Sequence, residues 1–453
     1  MDKVIAKFGG SSLADAAQIK KVKEIVSANK NIKYVVVSAA GKRNAQDFKV
    51  TDCLIKLYDV TQKIINCKQD EVGNLKKEKE ELIDKLKQRH IEIVKDLQID
   101  FDVVSEIDKI LYEAENKNTV DYLSSRGEYL SAKIMSKYLD AKFVDMKNVI
   151  IFGNDKKVDY QVTYENIKKV LCDDEDNLKI IPGFYGSTKD GEIMTFSRGG
   201  SDITGALVAR AVGASVYENW TDVSGVLFAD PRIADDVRPI EYITYTEIRE
   251  LSYMGASVLH EETLYPVSSA SIPVHILNTN SPADKGTMIV SNIPIVVKRG
   301  VVTGVAGKKG FTTILLQKTL MNEEVGYMSR LLKIFEDEKI SIEHCPTGID
   351  TISVVVETKN IENKKELILD KIKRELKPDV LNIEDELSII AIVGEGMIYH
   401  KRIIMDIFKT LYEADVTVRM IDQGSSGINV IVGVEDSDYE KAIKALSTLQ
   451  NNK

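Results

Sequence analysis

The sequence predicts an α/β protein, with a three-layer αβα sandwich around a mainly parallel sheet followed by two smaller α+β modules. Three observations favour this class. Two apolar strands end in glycine pairs, at Gly9-Gly10 and Gly199-Gly200, and helical spacing follows each of them, which is typical of parallel βα units. The last third of the chain repeats at an offset of 76 positions (416 − 340), which indicates a duplicated module of about 75 residues.

Length and composition limit the classes of function. The chain has 453 residues, 43% hydrophobic and 29% charged, with a net charge of −9, so we expect two or three domains and neither nucleic-acid nor membrane binding. No apolar run approaches the roughly 18 residues of a membrane span, and the N-terminus lacks a signal-peptide core. The four cysteines and five histidines show no metal-ligand spacing, so a cytoplasmic protein without a structural metal is predicted.

The first strand carries an unusual lysine. Lys7 interrupts an apolar run just before the glycine pair Gly9-Gly10, and a helix over 16–28 and a strand over 34–41 complete a βαβ unit. Strand ends of such units meet at the ligand edge of the sheet, where an ammonium can reach a phosphate bound on the glycine turn. Because the lysine precedes the glycines, the motif is neither a Walker A loop nor a GxGxxG fingerprint.

The second glycine pair follows an arginine. Arg198 precedes Gly199-Gly200, and Ser201 and Asp202 open a helical pattern. Unpaired N–H groups and the positive dipole end attract anions at a helix start, and the arginine fork suits a carboxylate or a phosphate. An ordinary βα turn with Ser201 or Asp202 as the helix N-cap is the alternative.

Ordered motifs extend over most of the chain. They are Lys7-Phe8-Gly9-Gly10-Ser11-Ser12, Phe196-Ser197-Arg198-Gly199-Gly200-Ser201-Asp202, and Trp220-Thr221-Asp222-Val223 leading to Asp230-Pro231-Arg232. Together they resemble the aspartokinases of the amino-acid kinase superfamily. The resemblance implies the amino-acid-kinase fold and ATP-dependent phosphorylation of the L-aspartate β-carboxylate to 4-phospho-L-aspartate, with Mg²⁺ bound alongside ATP. The product would feed lysine, threonine and methionine synthesis.

The resemblance also implies roles for individual residues. Lys7 and Asp202 are the catalytic candidates, with Lys7 facing the transferring phosphate and Asp202 orienting Lys7 or a Mg²⁺–phosphate network. The expected aspartate contacts are Thr51, Glu128, Arg198, Gly199, Gly200 and Ser201. The expected nucleotide contacts are Lys7, Phe8, Gly9, Gly10, Thr221, Asp222, Leu227, Arg232, Ser257 and Val258. In the family, proline, tyrosine and lysine are common where this chain has Ser224, Leu227 and Ser257.

Two charged residues are assigned to the amino-acid substrate. Arg198 is expected to bind the α-carboxylate and Glu128 the ammonium. Ser125 and Glu128 also match a capping box that would open a helix over 129–139, so a structural role is the alternative.

The predicted domain limits are 1–298 for the catalytic domain, 299–385 for the first C-terminal module and 386–453 for the second. Leucines and isoleucines near heptad spacing predict a helical excursion over 47–120, whose charges form a solvated face. The C-terminal copies, each predicted as helix, strand, glycine turn and strand, resemble paired ACT domains. A plain α+β dimerisation module is the alternative, and an exposed sheet edge favours pairing into a homodimer or a dimer of dimers.

ACT pairs in this family commonly bind an end product, so an allosteric site is expected in the first copy. Its candidates are Met321, Val325, Gly326, Tyr327, Ser341 and Glu343. A carboxylate at Glu343 can pair with the ε-ammonium of lysine, whereas the second copy carries Arg419, so L-lysine is the expected inhibitor and L-threonine the second choice. A solvated strand-end glutamate is the alternative.

Two rival functions remain open at this stage. One is another amino-acid kinase, of the glutamate, acetylglutamate or nucleotide type, although an acetylated substrate would not need Glu128. The other is a non-catalytic amino-acid sensor on the same scaffold, which Ser257 favours slightly. Lys7, Arg198 and Asp202 argue against this alternative.

Overall fold

The computed structural model describes residues 2–66, 72–172, 177–197, 199–256, 259, 261–297 and 299–451. The chain divides into two compact units. The first comprises Met1–Val226, Pro239–Tyr245 and Val258–Pro294, and the second comprises Leu227–Arg238, Thr246–Ser257 and Ile295–Lys453.

Strands and helices make up the first unit and the C-terminal repeats of the second. The strands are β1 (Val4–Phe8), β2 (Ile32–Val37), β3 (Lys142–Phe143), β4 (Ile151–Phe152), β5 (Lys179–Pro182), β6 (Tyr185–Thr188), β7 (Ile193–Thr195), β8 (Val216–Thr221), β9 (Tyr242–Thr244), β10 (Val274–Asn278), β11 (Thr287–Val290), β12 (Gly304–Gln317), β13 (Thr351–Glu357), β14 (Val380–Val393), β15 (Val418–Asp422) and β16 (Asn429–Glu435). The helices are α1 (Ala16–Ala28), α2 (Val50–Asn66), α3 (Val72–Leu97), α4 (Val103–Lys117), α5 (Val120–Tyr138), α6 (Tyr160–Leu171), α7 (Gly200–Val212), α8 (Tyr245–Tyr253), α9 (Glu261–Ser268), α10 (Tyr327–Asp337), α11 (Thr358–Ile361), α12 (Lys365–Leu376), α13 (Ile403–Glu413) and α14 (Tyr439–Ser447). Of these described helices, none is long and apolar enough to cross a membrane.

An eight-stranded sheet forms the centre of the first unit, in the order β3-β5-β2-β1-β8-β10-β11-β9. Every pair from β3 to β10 is parallel, β11 runs antiparallel to β10, and β9 is parallel to β11. A smaller sheet, β4-β6-β7, lies in the same unit. The prediction of an α/β fold around a mainly parallel sheet is therefore confirmed.

Helices cover both faces of this sheet. On one face, Val4, Ala6 and Phe8 of β1 share a buried core with residues of α1, α3, α4 and α5. On the other face, Tyr217 of β8 pairs in register with Ile5 of β1. The side chain of Tyr217 would be 2.6–2.7 Å from a Cβ added to Gly205 of α7. Only glycine allows α7 to approach the sheet this closely.

Within the range of the predicted helical excursion, the described residues form the helices α2, α3 and α4. Leu86, Ile93 and Ile107 are among its residues that are buried in the core of the main sheet. Helix α1 also forms over the predicted range, where the carboxylate of Asp15 caps it by accepting a hydrogen bond from the N–H of Gln18 at 2.9 Å.

The predicted capping box at Ser125 and Glu128 is wrong. Helix α5 begins at Val120, and its N-cap is Thr119, whose hydroxyl accepts from the N–H of Tyr122. Packing of Tyr122 into the core favours the earlier start, so Ser125 and Glu128 lie inside the helix and are buried.

The second unit contains a five-stranded antiparallel sheet, in the order β13-β12-β14-β16-β15. The repeat is visible in its helices, since α10 and α13 begin at Tyr327 and Ile403, which are 403 − 327 = 76 residues apart. The strand expected at 340–343 does not form: His344 and Thr347 make only isolated bridges to β13. Pro346 lies between these bridges and has no N–H to donate, which interrupts the ladder.

The two longest strands contribute to both cores of this unit. The second half of β12, with Ile314 and Leu316, packs in a core with α10 and α12. Its first half, with Val305, packs with Ile390 and Ile392 of β14 against α13 and α14. One continuous sheet therefore joins the two repeats.

Candidate active site

The carboxyl ends of four neighbouring strands bring the candidate residues of the first unit together. The backbone continues the pairing beyond the strands: the N–H of Gly9 donates to Trp220 O at 3.0 Å, that of Ser38 to Phe8 O at 3.2 Å, and that of Gly183 to Val37 O at 2.9 Å. The loops after β1, β2, β5 and β8 are thus held side by side, at the edge where parallel sheets bind ligands.

Lys7 is the buried cation at this edge. Its Nζ lies 2.5 Å from Asp202 Oδ1 and 3.3 Å from Asn219 Oδ1, and its side chain is only 8% exposed. Asn219 Nδ2 in turn donates to Asp202 Oδ1 at 2.8 Å. Lys7 and Asn219 are partners in register on β1 and β8, while Asp202 comes from the first turn of α7. Three separate elements therefore fix the position of the ammonium.

The glycine turn after β1 is tightly packed against the loop after β2. A 3₁₀ turn over Gly10–Leu13 begins there, with Gly9 as its N-cap. The N–H of Gly41 donates to Gly10 O at 2.8 Å, and a Cβ added to Gly41 would lie 2.6 Å from the carbonyl carbon of Gly10. A Cβ added to Gly9 would lie 3.6 Å from Trp220 O and 3.7 Å from Lys7 Nζ, so Gly9 lies close to the lysine. The arrangement suits a phosphate held between N–H groups and an ammonium.

Helix α7 begins without a side-chain cap. Its N-cap is Gly199, at a φ of 59°, a conformation that favours glycine. The alternative in which Ser201 or Asp202 is the N-cap is therefore wrong, since both lie inside the helix. A Cβ on Gly200 would lie 2.6 Å from the ring of Phe184, and one on Gly183 would lie 2.7 Å from Ser201 Cα.

Glu128 is the buried carboxyl group of the site. Its Oε2 is buried without a hydrogen-bond partner among the described residues. Burial raises the pKa of Glu128 to about 8, although the N–H of Ala39 and the charge of Arg126 act in the opposite direction. Such a carboxyl is poorly satisfied by the protein and is suited to a cationic ligand.

The second predicted substrate residue lies on the helix that packs against Glu128. Thr51 is half-buried in the first turn of α2, and the preceding N–H, that of Val50, donates to Ala40 O at 3.1 Å. A Cβ on Gly127 would lie 3.3 Å from Val50 Cγ1, so the two helices approach closely here. Arg198, the third charged candidate, lies outside the described residues.

The predicted nucleotide residues fall in both units. In the first, Phe8 stacks on Trp220 with ring centroids 6.0 Å apart, and Thr221 donates to Asp222, which is exposed. In the second, Leu227 is half-buried, and Arg232 is exposed and pairs with Asp230 at 2.6 Å. Ser257 and Val258 lie outside the described residues.

The sequence interpretation missed Asn219, which contacts both catalytic candidates. Its signal was the one that identified Lys7, a polar side chain inside an otherwise buried strand. It also missed Thr279, whose hydroxyl is 2.8 Å from that of Ser12 and joins the end of β10 to the glycine turn.

Comparison with known proteins agrees with this geometry. The model of the amino acid kinase family matches residues 2–278, and an ACT domain model matches residues 390–449. Aspartokinase 3 of Bacillus subtilis is 36% identical over 98% of this chain and 97% of its own length. This chain belongs to the aspartokinases. The crystal structure of the Clostridium acetobutylicum aspartate kinase is similar throughout, with a TM-score of 0.87, 44% identity and complete coverage of both chains. The lysine-sensitive aspartokinase 3 of Escherichia coli is 25% identical over 98% of this chain and 98% of its own.

The first ACT repeat of this aspartokinase carries the candidate effector residues. Met321 and Tyr327 are buried in its core, Gly326 is the N-cap of α10 at a φ of 81°, and Val325 is exposed. The hydroxyl of Tyr327 is buried without a hydrogen-bond partner within the described ranges.

The second half of the candidate effector site follows α10. Ser341 is exposed, whereas Glu343 is half-buried and accepts a hydrogen bond from the hydroxyl of Tyr253 at 2.5 Å. Glu343 is therefore held by a neighbouring side chain, unlike the freely solvated glutamate of the alternative interpretation. In the second repeat, Arg419 pairs with Glu384 and Glu435.

Proposed function

We propose that Lys7 and the turn after it hold the γ-phosphate of ATP while the β-carboxylate of aspartate attacks it. The observation that carries this proposal is the buried ammonium of Lys7, fixed by Asp202 and Asn219 beside the glycine turn. The nucleophile is already ionised at neutral pH, so the site needs cations and N–H dipoles rather than a strong base. The carboxylate oxygen forms the new bond to phosphorus as the bond to ADP breaks.

The amino-acid end of the substrate is assigned to the other side of the site. Glu128 binds the α-ammonium, Arg198 binds the α-carboxylate, and Thr51, Gly199, Gly200 and Ser201 complete the pocket. The unpaired Oε2 of Glu128 supports this assignment, because a buried carboxylate without a partner is costly unless a ligand supplies one. Phe8, Gly9, Gly10, Thr221, Asp222, Leu227, Arg232, Ser257 and Val258 are the proposed nucleotide contacts.

A Mg²⁺ ion that arrives with ATP fits the donors present. No group of three metal-binding side chains occurs among the described residues, and nucleotide-bound Mg²⁺ typically needs only one or two carboxylates besides phosphates and water. Asp202 is the candidate ligand for this ion. Its contacts to Lys7 and Asn219 both use Oδ1, so Oδ2 is the oxygen proposed to bind the ion. When bound, the ion would neutralise phosphate charge.

An ADP-release assay over a panel of amino acids tests the proposed substrate. We expect ADP release with L-aspartate and Mg²⁺-ATP, and at least about a hundredfold lower kcat/KM with glutamate or acetylglutamate. Faster release with glutamate or acetylglutamate would favour the rival kinases, and the absence of ADP release with every amino acid of the panel would favour a non-catalytic sensor.

We infer that L-lysine inhibits the enzyme through the first ACT repeat, and that L-threonine is the weaker effector. The name of the Escherichia coli relative states that it is lysine-sensitive. In this chain, Glu343 supplies a carboxylate for the ε-ammonium, whereas the second repeat presents Arg419 at the corresponding position. The hydroxyl of Tyr253 already donates to Glu343, which keeps this carboxylate in place.

Titration of lysine and then threonine at fixed aspartate tests this inference. Glu343→Ala should weaken lysine inhibition at least about tenfold without changing the uninhibited kcat, because it removes the partner of the ε-ammonium. Tyr253→Phe keeps the carboxylate, and Arg419→Ala removes the arginine of the second repeat while leaving Glu343 in place, so both should retain inhibition. A wild-type enzyme that ignores lysine, or an unchanged inhibition constant in Glu343→Ala, would refute the assignment.

We also propose the domain limits 1–298, 299–385 and 386–453, with the qualification that residues 301–308 complete the core of the last module. Assembly into a homodimer or a dimer of dimers through the ACT modules is proposed because β13 and β15 are edges of the described five-stranded sheet. Light scattering on the purified protein distinguishes these from a monomer.

A further inference from the structure

The helical excursion places a buried arginine next to the glycine turn that follows β1. Arg89 of α3 has a side chain that is only 1% exposed, although the helix as a whole is rich in solvated lysine and glutamate. A buried guanidinium is costly unless it is paired and hydrogen-bonded, so its contacts indicate what the position is used for.

Those contacts include the backbone that follows the 3₁₀ turn and the loop after β2 that packs against the start of the turn. Arg89 Nη1 donates to Ala14 O at 3.2 Å and to Gly41 O at 3.0 Å. Ala14 directly follows the last residue of the turn, and Gly41 is hydrogen-bonded to its first residue, Gly10. A single guanidinium therefore bridges the segment that leaves the turn and the loop after β2, which is hydrogen-bonded to the first residue of the turn.

A second set of contacts fixes the guanidinium itself. Arg89 Nη2 pairs with the buried carboxylate of Asp47, and the guanidinium carbon lies 4.7 Å from the centre of the Phe48 ring. Arg43 also pairs with Asp47, at 2.9 Å, and with Glu92 on the next turn of α3. The loop after β2 and helix α3 are thus held together around Arg89.

We propose that Arg89 is a positioning residue for phosphoryl transfer, which holds the turn over Gly9–Ala14 in the geometry that receives the phosphate. The proposal rests on the role proposed above for that turn. It gives the helical excursion a function in the reaction, since α3 supplies the group that holds the turn in place. The planar fork matters, because a lysine at this position has one nitrogen and cannot span two carbonyls and a carboxylate in fixed directions.

The test compares Arg89→Lys with Arg43→Lys. Both changes keep the charge and an interaction with Asp47, but Arg43 is 37% exposed and makes no contact with Gly41 or Ala14 within the described residues. We expect Arg89→Lys to lower kcat at least about tenfold, with the KM for aspartate changing less than about threefold, and Arg43→Lys to keep kcat within about twofold.

Hydrogen exchange separates positioning from general loss of structure. In Arg89→Lys, amides of the peptide over 9–14 should exchange faster, while peptides of the β4-β6-β7 sheet keep wild-type rates. If Arg89→Lys does not fold, Asp47→Asn is measured by the same criteria, since it removes the carboxylate that holds the guanidinium.

The inference is overturned if the folded variant keeps wild-type kcat, or if kcat falls only in proportion to the folded fraction with unchanged exchange at 9–14. The proposed role of the turn is tested separately by Lys7→Ala. An active Arg89→Lys enzyme together with an inactive Lys7→Ala enzyme would therefore contradict only the role of Arg89.

Discussion

The two charged groups at opposite ends of the proposed substrate site differ in how well the protein satisfies them. Lys7 has two hydrogen-bonding partners, Asp202 and Asn219, which come from two other elements. Glu128 is equally buried, but its Oε2 has no partner among the described residues, and burial raises its pKa to about 8. On the proposed assignment, the phosphate side is complete before substrate binds, whereas the amino-acid side is completed by the substrate.

Because of this difference, we expect substitutions at the two ends of the site to change different kinetic parameters. A preorganised cation stabilises charge that develops in the transition state, so its loss should appear in kcat. A carboxylate that gains its partner only from the substrate contributes to ground-state binding, so its loss should appear in the KM for aspartate.

The largest effect is expected for Lys7→Ala. The change removes the cation beside the transferring phosphate, and we expect kcat to fall about a hundredfold or more while the fold is retained. Steady-state kinetics with circular dichroism as the control for folding measures this. A folded variant with near wild-type turnover would remove Lys7 from the mechanism.

A smaller effect, in a different parameter, is expected for Glu128→Gln. The amide keeps the shape but cannot balance an ammonium, so the KM for aspartate should rise about tenfold or more, and the KM for ATP should change little. If the KM for ATP rose more than that for aspartate, Glu128 would belong to the nucleotide side.

The effect of Glu128→Gln on the stability of the folded protein should depend on pH. The pKa of Glu128 is raised from 4.5 to about 8 in the folded protein, so the unfolded chain releases this proton first as the pH rises. Wild-type stability should therefore fall between about pH 4.5 and pH 8, and Glu128→Gln should be the more stable protein above that range. Melting temperatures at pH 5 and pH 9 compare the two; equal differences at both values would contradict the raised pKa.

The smallest effect is expected for Asn219→Ala. Lys7 would keep its ion pair with Asp202 but lose one of its two positioning contacts, so kcat should fall about three- to tenfold with the KM for aspartate unchanged. An effect as large as that of Lys7→Ala would mean that Asn219 itself contacts the phosphate.

The phosphate side could be predicted from the sequence because its signals are local. Lys7 interrupts an apolar strand, glycines follow it directly, and α1 has both a cap and clear helical spacing. Asn219 was missed because its role depends on pairing between β1 and β8, which lie 212 residues apart in the chain.

The amino-acid side could be predicted less fully, because its properties arise from packing. Thr119 and Ser125 both had the local chemistry of a helix cap, and burial of Tyr122 favoured the first. The desolvation of Glu128 results from the contact of α5 with Ala39 and α2, which no local pattern specifies. The strand expected at 340–343 does not form. It was predicted from apolar periodicity alone, which did not account for the interruption of strand pairing at Pro346.

The pH dependence of aspartate binding tests most directly whether the substrate completes the amino-acid side. Calorimetric titration of wild-type enzyme and Glu128→Gln with aspartate, in the absence of nucleotide, separates binding from catalysis. Because aspartate must bind to the ionised carboxylate, the wild-type affinity should increase about tenfold per pH unit up to about pH 8 and then level off. The Glu128→Gln variant should bind weakly without this dependence. A wild-type affinity that stays constant from about pH 6 to pH 9 would contradict the account.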